Sequence, residues 1–599
     1  MKLSDYVADF LVHQQVRHLF LLPGGGCMHL ADSVGKRPEL DYVCCLHEQA
    51  CAFAAEAVGE FAGELGCALV TAGPGGTNAV TGVACAWLES SPVLFISGQA
   101  KRADLITSRV LPVRSMGQQE VDIVAVVKPI TKYAVTVLDP RNIRSILEEA
   151  VWHASQGRKG PVWVDIPLDV QAAVIEPADL PGFTPPSTTP AATDLCAAAD
   201  EVAAALRSAK RPVLYVGNGV RSAGQIATLR ALVARLGAPV LVTWKAIDYL
   251  PEDAPEFVGR PGGVGQRAAN FAQQKCDLLL VLGARLDLPS VGFNHANIAP
   301  RARRIVVDVD PAELAKFTPP FQQHVTADLA SFLPALLAAI ATEADDLRAR
   351  YSTWLALCRR WTALYPVVLP EHWAGPAGYV STYALVDALA DAAASDDIIV
   401  PGSSGPCSDI LMQAWRVKDG QRILNAPGLG AMGTGLPGSI GACLAGDRRR
   451  VINLNGDGGF QLNIQELETI RRLALPIKFF VLDNDGYRSI VAMQRNHFQG
   501  RLVGSDPSSR LTLPDLRKIG PAYGIPTDYV DDVADIRDAI ARTLALPGPA
   551  ICVVKTSADE KTAPRVTAEV RPDGTIVSKP MEDMFPFLPR DEFEAIMAE

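Results

Sequence analysis

Short apolar runs ending in glycine, proline or a carboxylate recur along this chain, with Ala-rich segments between them, and that alternation constrains the fold more than any other feature. A strand buried on both faces reads as an unbroken apolar run, and the helices covering it return at helical spacing. Residues 18–22, 67–71, 93–97 and 162–166 read as strands, with 48–61 as a helix. The rhythm resumes with strands at 212–216, 239–243, 278–282 and 304–309, and again at 398–400, 451–454, 477–482 and 550–554. Repeated strand–helix–strand units predict an α/β chain of three doubly wound parallel-sheet domains. The expected boundaries are 1–180, 195–340 and 370–560, with a polar tail at 561–599. A Pro- and Thr-rich stretch at 180–194 reads as an exposed linker, and 343–365 as a mixed helical connection.

A length of 599 residues suits about three domains on the usual ~150-residue prior. The net charge of −10, without a basic block, argues against a nucleic-acid or membrane-surface partner. No apolar run approaches a membrane span, and the acidic, amphipathic first sixteen residues do not read as a signal peptide. The 12 cysteines are scattered without a C-x-x-C pair, which reads as buried free thiols in a reducing cytoplasm.

Asn455-Gly456-Asp457-Gly458-Gly459-Phe460 follows the apolar strand at 451–454 and precedes a helical run. An Asp between glycines at a strand end can ligate a metal, while the glycines let backbone N–H groups approach a phosphate. The strand at 477–482 runs into Asn484, with Gly486 just beyond. One carboxylate, one amide oxygen and one backbone carbonyl suit Mg²⁺, which takes hard oxygens plus phosphate and water. Each segment by itself is equally an ordinary turn. In the middle block, Gly217-Asn218-Gly219 and Gly283-Ala284-Arg285 follow strands, and Asp308 ends a third, a pattern that serves a pyrophosphate and a ribose or a plain set of turns.

With Pro23-Gly24-Gly25, His47-Glu48-Gln49-Ala50, Gly73-Pro74-Gly75 with Asn78, and Gly428 to Gly433 in order, the chain resembles the acetolactate synthase-like group of thiamine-diphosphate enzymes through about residue 556. The resemblance implies thiamine diphosphate held through Mg²⁺ by Asp457, Asn484 and Gly486, with Gly456, Gly458, Gly459 and Ser404 about the diphosphate. It implies that Pro23, Gly24, Gly25, Gly73 and Asn78 line the pyrimidine side, that Gly430 accepts from that ring, and that Met432 props the bent cofactor. Glu48 then shares a proton with the aminopyrimidine from among apolar neighbours, and the cofactor acts as electron sink. Gln119 matches a glutamine that faces the reacting atoms, and His29 lies where it can donate to an acceptor.

The same resemblance implies FAD in a structural role, held by Gly217, Asn218, Gly219, Thr243, Gly283, Arg285, Asp308 and Asp328, with Lys132 also on the flavin side. An ADP-type ligand or an empty vestigial domain is the rival. A homodimer or homotetramer is implied, with Glu48 meeting the metal site across a subunit boundary. Departures bear on substrate: Met493 stands where the biosynthetic enzymes carry tryptophan, Gln118 where they carry phenylalanine, and Pro406-Cys407 replaces a Gln-His pair. The run Leu286-Asp287-Leu288-Pro289-Ser290 has no arginine where one grips the acceptor carboxylate. Loss of a charge-assisted fork favours an aldehyde or ketone acceptor for the acetyl unit of pyruvate. Acetolactate synthesis from two pyruvates, simple decarboxylation and a non-catalytic nucleotide-binding scaffold are the alternatives.

Overall fold

Three six-stranded parallel sheets carry the chain, in a computed structural model that describes all residues but 109–111, 187–191, 342–343 and 376–377. Part of the expected linker (187–191), and position 343, where the helical connection was expected to begin, lie outside the described residues. The first sheet contains β1 (His18–Leu21), β2 (Asp41–Cys44), β3 (Gly66–Val70), β4 (Val93–Gln99), β5 (Tyr133–Thr136) and β6 (Pro161–Pro167), in the order β2-β1-β3-β4-β6-β5. The second contains β7 (Pro212–Val216), β8 (Val240–Val242), β9 (Phe257–Gly259), β10 (Leu278–Leu282), β11 (Arg303–Asp308) and β12 (Gln323–Thr326), in the order β12-β11-β10-β7-β8-β9. The third contains β13 (Ile398–Pro401), β14 (Arg422–Ile423), β15 (Val451–Gly456), β16 (Ile477–Asp483), β17 (Thr527–Val530) and β18 (Ala550–Lys555), in the order β14-β13-β15-β16-β18-β17.

Counted from their own first strands, the outer sheets share one order, 2-1-3-4-6-5, while the central sheet runs 3-2-1-4-5-6. In the central sheet the winding reverses between the adjacent strands β7 and β10. A crevice opens at such a reversal beyond the strands' C-terminal ends, and ligands of doubly wound sheets bind there.

The Ala-rich helix Glu48–Ala62 joins the outer domains. Its small side chains admit Pro74–Glu89 on one flank and Gly435–Ala445 of the third domain on the other, since interaxial distance follows side-chain size. A methyl group on Gly441 would lie 2.1 Å from the Ala54 carbonyl oxygen, whereas one on Gly438, in the same helix, would meet nothing closer than 3.9 Å. Both substitutions by alanine bring the same gain in helix propensity. Gly441→Ala is therefore expected to destabilise the fold by about 1–3 kcal/mol, and Gly438→Ala to be neutral or slightly stabilising. Paired thermal melts check the difference.

The polar tail lies along the central domain. Asn270 donates to the Met581 carbonyl (2.8 Å), and Arg267 donates to the carbonyls of Met584 (3.2 Å) and Pro586 (2.6 Å). Two short tail strands, Ala568–Val570 and Ile576–Ser578, pair antiparallel. Among the described residues no helix is long and apolar enough to cross a membrane.

Candidate active site

Every cluster of candidate residues stands beyond the C-terminal ends of parallel strands. In the first domain β1 leads to Pro23, Gly24 and Gly25, β2 to Glu48, and β3 to Gly73 and Asn78. Glu48 is 7 % exposed at the start of its helix, and its Oε2 accepts from Asn78 Nδ2 at 2.9 Å. Asn78 is itself exposed, as are Pro23 and Gly25, so this carboxyl is buried one residue below an open surface. Thr71 fixes the glycine turn: its Oγ1 accepts from the Gly26 N–H (3.2 Å), and a methyl group on Gly24 would overlap it at 2.5 Å. Gln119, exposed with a φ of 62°, lies with its backbone against Gly73. His29 is half-buried on the helix Met28–Val34.

In the third domain the carboxyl of Asp457 ties two strand ends together. It accepts from the N–H groups of Gly458 (2.7 Å), Asn484 (3.1 Å) and Gly486 (3.0 Å). Burial pushes this carboxyl up to about 6, against the lowering pull of the three N–H donors. Asn484 Oδ1 is buried without a hydrogen-bond partner among the described residues. A carboxylate beside an unpartnered amide oxygen is a hard-oxygen corner that fits a divalent cation of the Mg²⁺ type. The helical run expected after the motif is broken near its start: Asp457–Gln461 and Glu466–Arg472 flank Asn463, whose φ is 65°.

That break has a use which sequence reasoning missed. Asn463 Nδ2 donates to both Gln49 Oε1 (2.9 Å) and the Gly433 carbonyl (3.0 Å), linking the start of the Glu48 helix to the loop carrying Gly430 and Met432. The other end of that loop is held by Glu89, whose Oε1 accepts from the Gly428 N–H at 2.6 Å. Glu89 also belongs to a buried charge cluster. Lys245 Nζ meets Glu60 Oε1 at 2.8 Å, Glu89 Oε2 at 3.3 Å and the Asn425 carbonyl at 2.8 Å, with Glu56 alongside. Burial, and then the Glu60 charge, push Glu56 up to about 8, while for Lys245 the glutamates more than reverse the downward effect of burial. A lone lysine in the run Val242-Thr243-Trp244-Lys245-Ala246-Ile247 was the available signal, because such residues are buried only when paired.

The central-domain candidates border one cavity of about 680 Å³. Asn218, Gly219, Thr243, Gly283, Arg285, Asp308 and Asp328 line it. Gly217 does not; it allows two loops to touch, since a methyl group there would lie 2.4 Å from the Gly283 carbonyl oxygen. Lys132, expected on the flavin side, is also absent from the lining: its Nζ donates to the Gln156 carbonyl. The cavity continues past Glu89 and Arg158 of the first domain to Ser403, Ser404 and Gly430 of the third. Glu48, Asn78, Asp457 and Asn484 are not on its wall.

Three family models cover most of the chain: the thiamine pyrophosphate enzyme N-terminal binding domain at residues 1–126, the central domain at 199–336 and the C-terminal binding domain at 403–554. This chain belongs to the thiamine pyrophosphate enzymes. Within them it is acetolactate synthase-like. It is 31% identical over 568 residues to the large subunit of acetolactate synthase isozyme 1 from Escherichia coli, covering 94% of this chain and 95% of that one. Chloroplastic acetolactate synthase 1 of Zea mays is 31% identical over 579 residues (94% and 86%), and the large subunit from Pyropia yezoensis 31% over 570 (93% and 92%). As a member of this family the chain is an enzyme, and thiamine diphosphate is its cofactor. The family's two binding-domain matches fall within the first and third domains, whose sheets share a strand order.

Proposed function

We propose that this thiamine-diphosphate enzyme decarboxylates pyruvate and joins the acetyl unit to a second pyruvate, forming acetolactate. The observation carrying this reading is the likeness, along nearly the whole chain, to proteins named acetolactate synthases, combined with a buried Glu48 and an oxygen corner at Asp457 and Asn484. When bound, thiamine diphosphate supplies a carbon nucleophile and an electron sink for the departing CO₂.

The chain's own residues supply position and proton control. Glu48, steadied by Asn78, shares a proton with the aminopyrimidine ring; Gly430 offers a carbonyl to the same ring, and Met432 sets the bend. Asp457, Asn484 and Gly486 hold Mg²⁺ against the diphosphate, beside Gly456, Gly458, Gly459 and Ser404. Pro23, Gly24, Gly25 and Gly73 shape the pyrimidine side, with Gln119 and His29 as donors towards substrate. FAD in a structural role suits the central cavity, given its strand reversal, its touching glycine turns at Gly217 and Gly283, and Asp308 and Asp328 at strand ends. The same reading includes a homodimer or homotetramer in which Glu48 meets the metal corner of a second copy.

A second reading, transfer to an aldehyde or ketone, draws on the 286–290 run: Asp287 accepts from Ser290 and stands 3.6 Å from Arg285, a local acid where an acceptor carboxylate would need a cation. Products decide between them. The enzyme with thiamine diphosphate, Mg²⁺ and pyruvate should release CO₂ and yield acetolactate. A tertiary alcohol formed only when a simple ketone is added would favour the second reading, and free acetaldehyde alone a plain decarboxylase. Absence of CO₂ release would leave only a nucleotide-binding scaffold. Exhaustive chelation should abolish turnover, with Mg²⁺ restoring it.

A further inference from the structure

Five cations border the central cavity, and four are engaged elsewhere. Arg158 donates to Ser90, Asp310 and Glu313. Lys159 donates to the Gly63 carbonyl, Lys245 lies in the glutamate cluster, and Arg285 donates to the Leu88 carbonyl. The fifth is Arg565, an exposed residue whose hydrogen bonds among the described residues are made by its backbone alone. It belongs to the tail, outside all three domains of the family pattern.

Its backbone is fixed from four directions. Just before it, Tyr383 Oη donates to the Ala563 carbonyl (2.8 Å) and Gln413 donates to that of Pro564 (2.6 Å), both from the third domain. Arg565 exchanges two backbone hydrogen bonds with Phe585, at 2.9 and 2.8 Å. The next residue, Val566, donates to the Gly263 carbonyl of the central domain at 2.7 Å. These bonds hold Arg565 on the wall of the cavity that Gly262, Gly263, Ser403 and Ser404 also line. The mostly buried Asp409 lines the same border and feels the Arg565 charge without bonding to it, so the guanidinium's five N–H donors stay available.

We infer that Arg565 is a specificity-determining residue that receives the carboxylate of the acceptor, so that the tail supplies the cation missing from residues 286–290. A planar fork matches a carboxylate in a way a lysine does not. The inference rests on the proposed acetolactate reaction and selects a 2-keto acid over a neutral ketone at the same site.

The test uses Arg565→Gln and Arg565→Lys in the full chain loaded with thiamine diphosphate, Mg²⁺ and FAD. With pyruvate alone, the ratio of acetolactate to released acetaldehyde should fall on the order of 10- to 100-fold in the Gln variant, with Lys intermediate. Ligation to a neutral ketone, CO₂ release and flavin content should stay near wild type. Titration with oxamate, an unreactive carboxylate isostere of pyruvate, should show a parallel loss of affinity, and it reads out even if the wild type makes no acetolactate, in which case only the proposed reaction falls. An unchanged oxamate affinity, or equal losses with charged and neutral acceptors, would overturn the assignment. Loss of flavin instead would make Arg565 a cofactor ligand.

Discussion

Glu48→Gln is expected to slow decarboxylation of pyruvate by about 10²–10⁴-fold while thiamine diphosphate still binds. Glutamine keeps the size of the buried side chain and an oxygen to accept from Asn78. What it cannot do is hold a proton and pass it to the aminopyrimidine. Rates of CO₂ release, with cofactor affinity from calorimetry, separate the two properties; undiminished turnover would remove Glu48 from the mechanism. The same variant probes the assembly. If Glu48 serves the metal corner of a second copy, mixing inactive Glu48→Gln and Asp457→Ala chains restores one intact site in each mixed dimer, about a quarter of wild-type activity at equal amounts. Failure to complement would put the whole site within one chain.

Lys245→Met should produce the largest loss of stability, about 3–5 kcal/mol, because breaking a buried ion pair strands the partner charges. Glu56, Glu60 and Glu89 are 5 %, 7 % and 4 % exposed, and the Lys245 side chain is 10 % exposed. They come from two domains, while the Asn425 carbonyl and the Gly428 N–H join the cluster from the third. Adding Glu60→Gln and Glu89→Gln to Lys245→Met should recover much of the loss, a result that simple misfolding would not give. The pH dependence has a definite sign. Glu56 keeps its proton in the folded chain up to about 8, whereas the unfolded chain releases it in the ordinary carboxylate range. Folding is therefore favoured by this group at low pH, and the contribution is lost as pH rises towards 8. Without the lysine that decline should steepen. Urea midpoints across pH 5–9 test both points.

Every interior strand was legible in the sequence, and no edge strand was. All twelve runs singled out correspond to β1, β3, β4 and β6, β7, β8, β10 and β11, and β13, β15, β16 and β18, the strands flanked on both sides in their sheets. The six others, β2, β5, β9, β12, β14 and β17, are the sheet edges. They are either half-exposed, as in β5 and β17, or only two or three residues long, as in β14 and β9, so neither an apolar run nor an alternation could mark them. The candidate site shows the same split. Asp457, Asn484 and Glu48 stand at motif positions in strand–turn–helix corners and were legible. Asn463 and Glu89 act through partners dozens to hundreds of positions away, and nothing local announces them. The departures at Gly217 and Lys132 concern which surface a residue presents, and a motif fixes only its place in the chain.

The tail imposes an order of events during synthesis. Its anchors span intervals such as 311 residues between Asn270 and Met581, or 388 between Arg211 and Glu599, so it can dock only after the central and third domains exist to receive it. Until then a nascent chain displays the cavity without Arg565 or Val566 on its rim. The molecule is thus widest open while it is still being made, and the rim of the cavity is completed last.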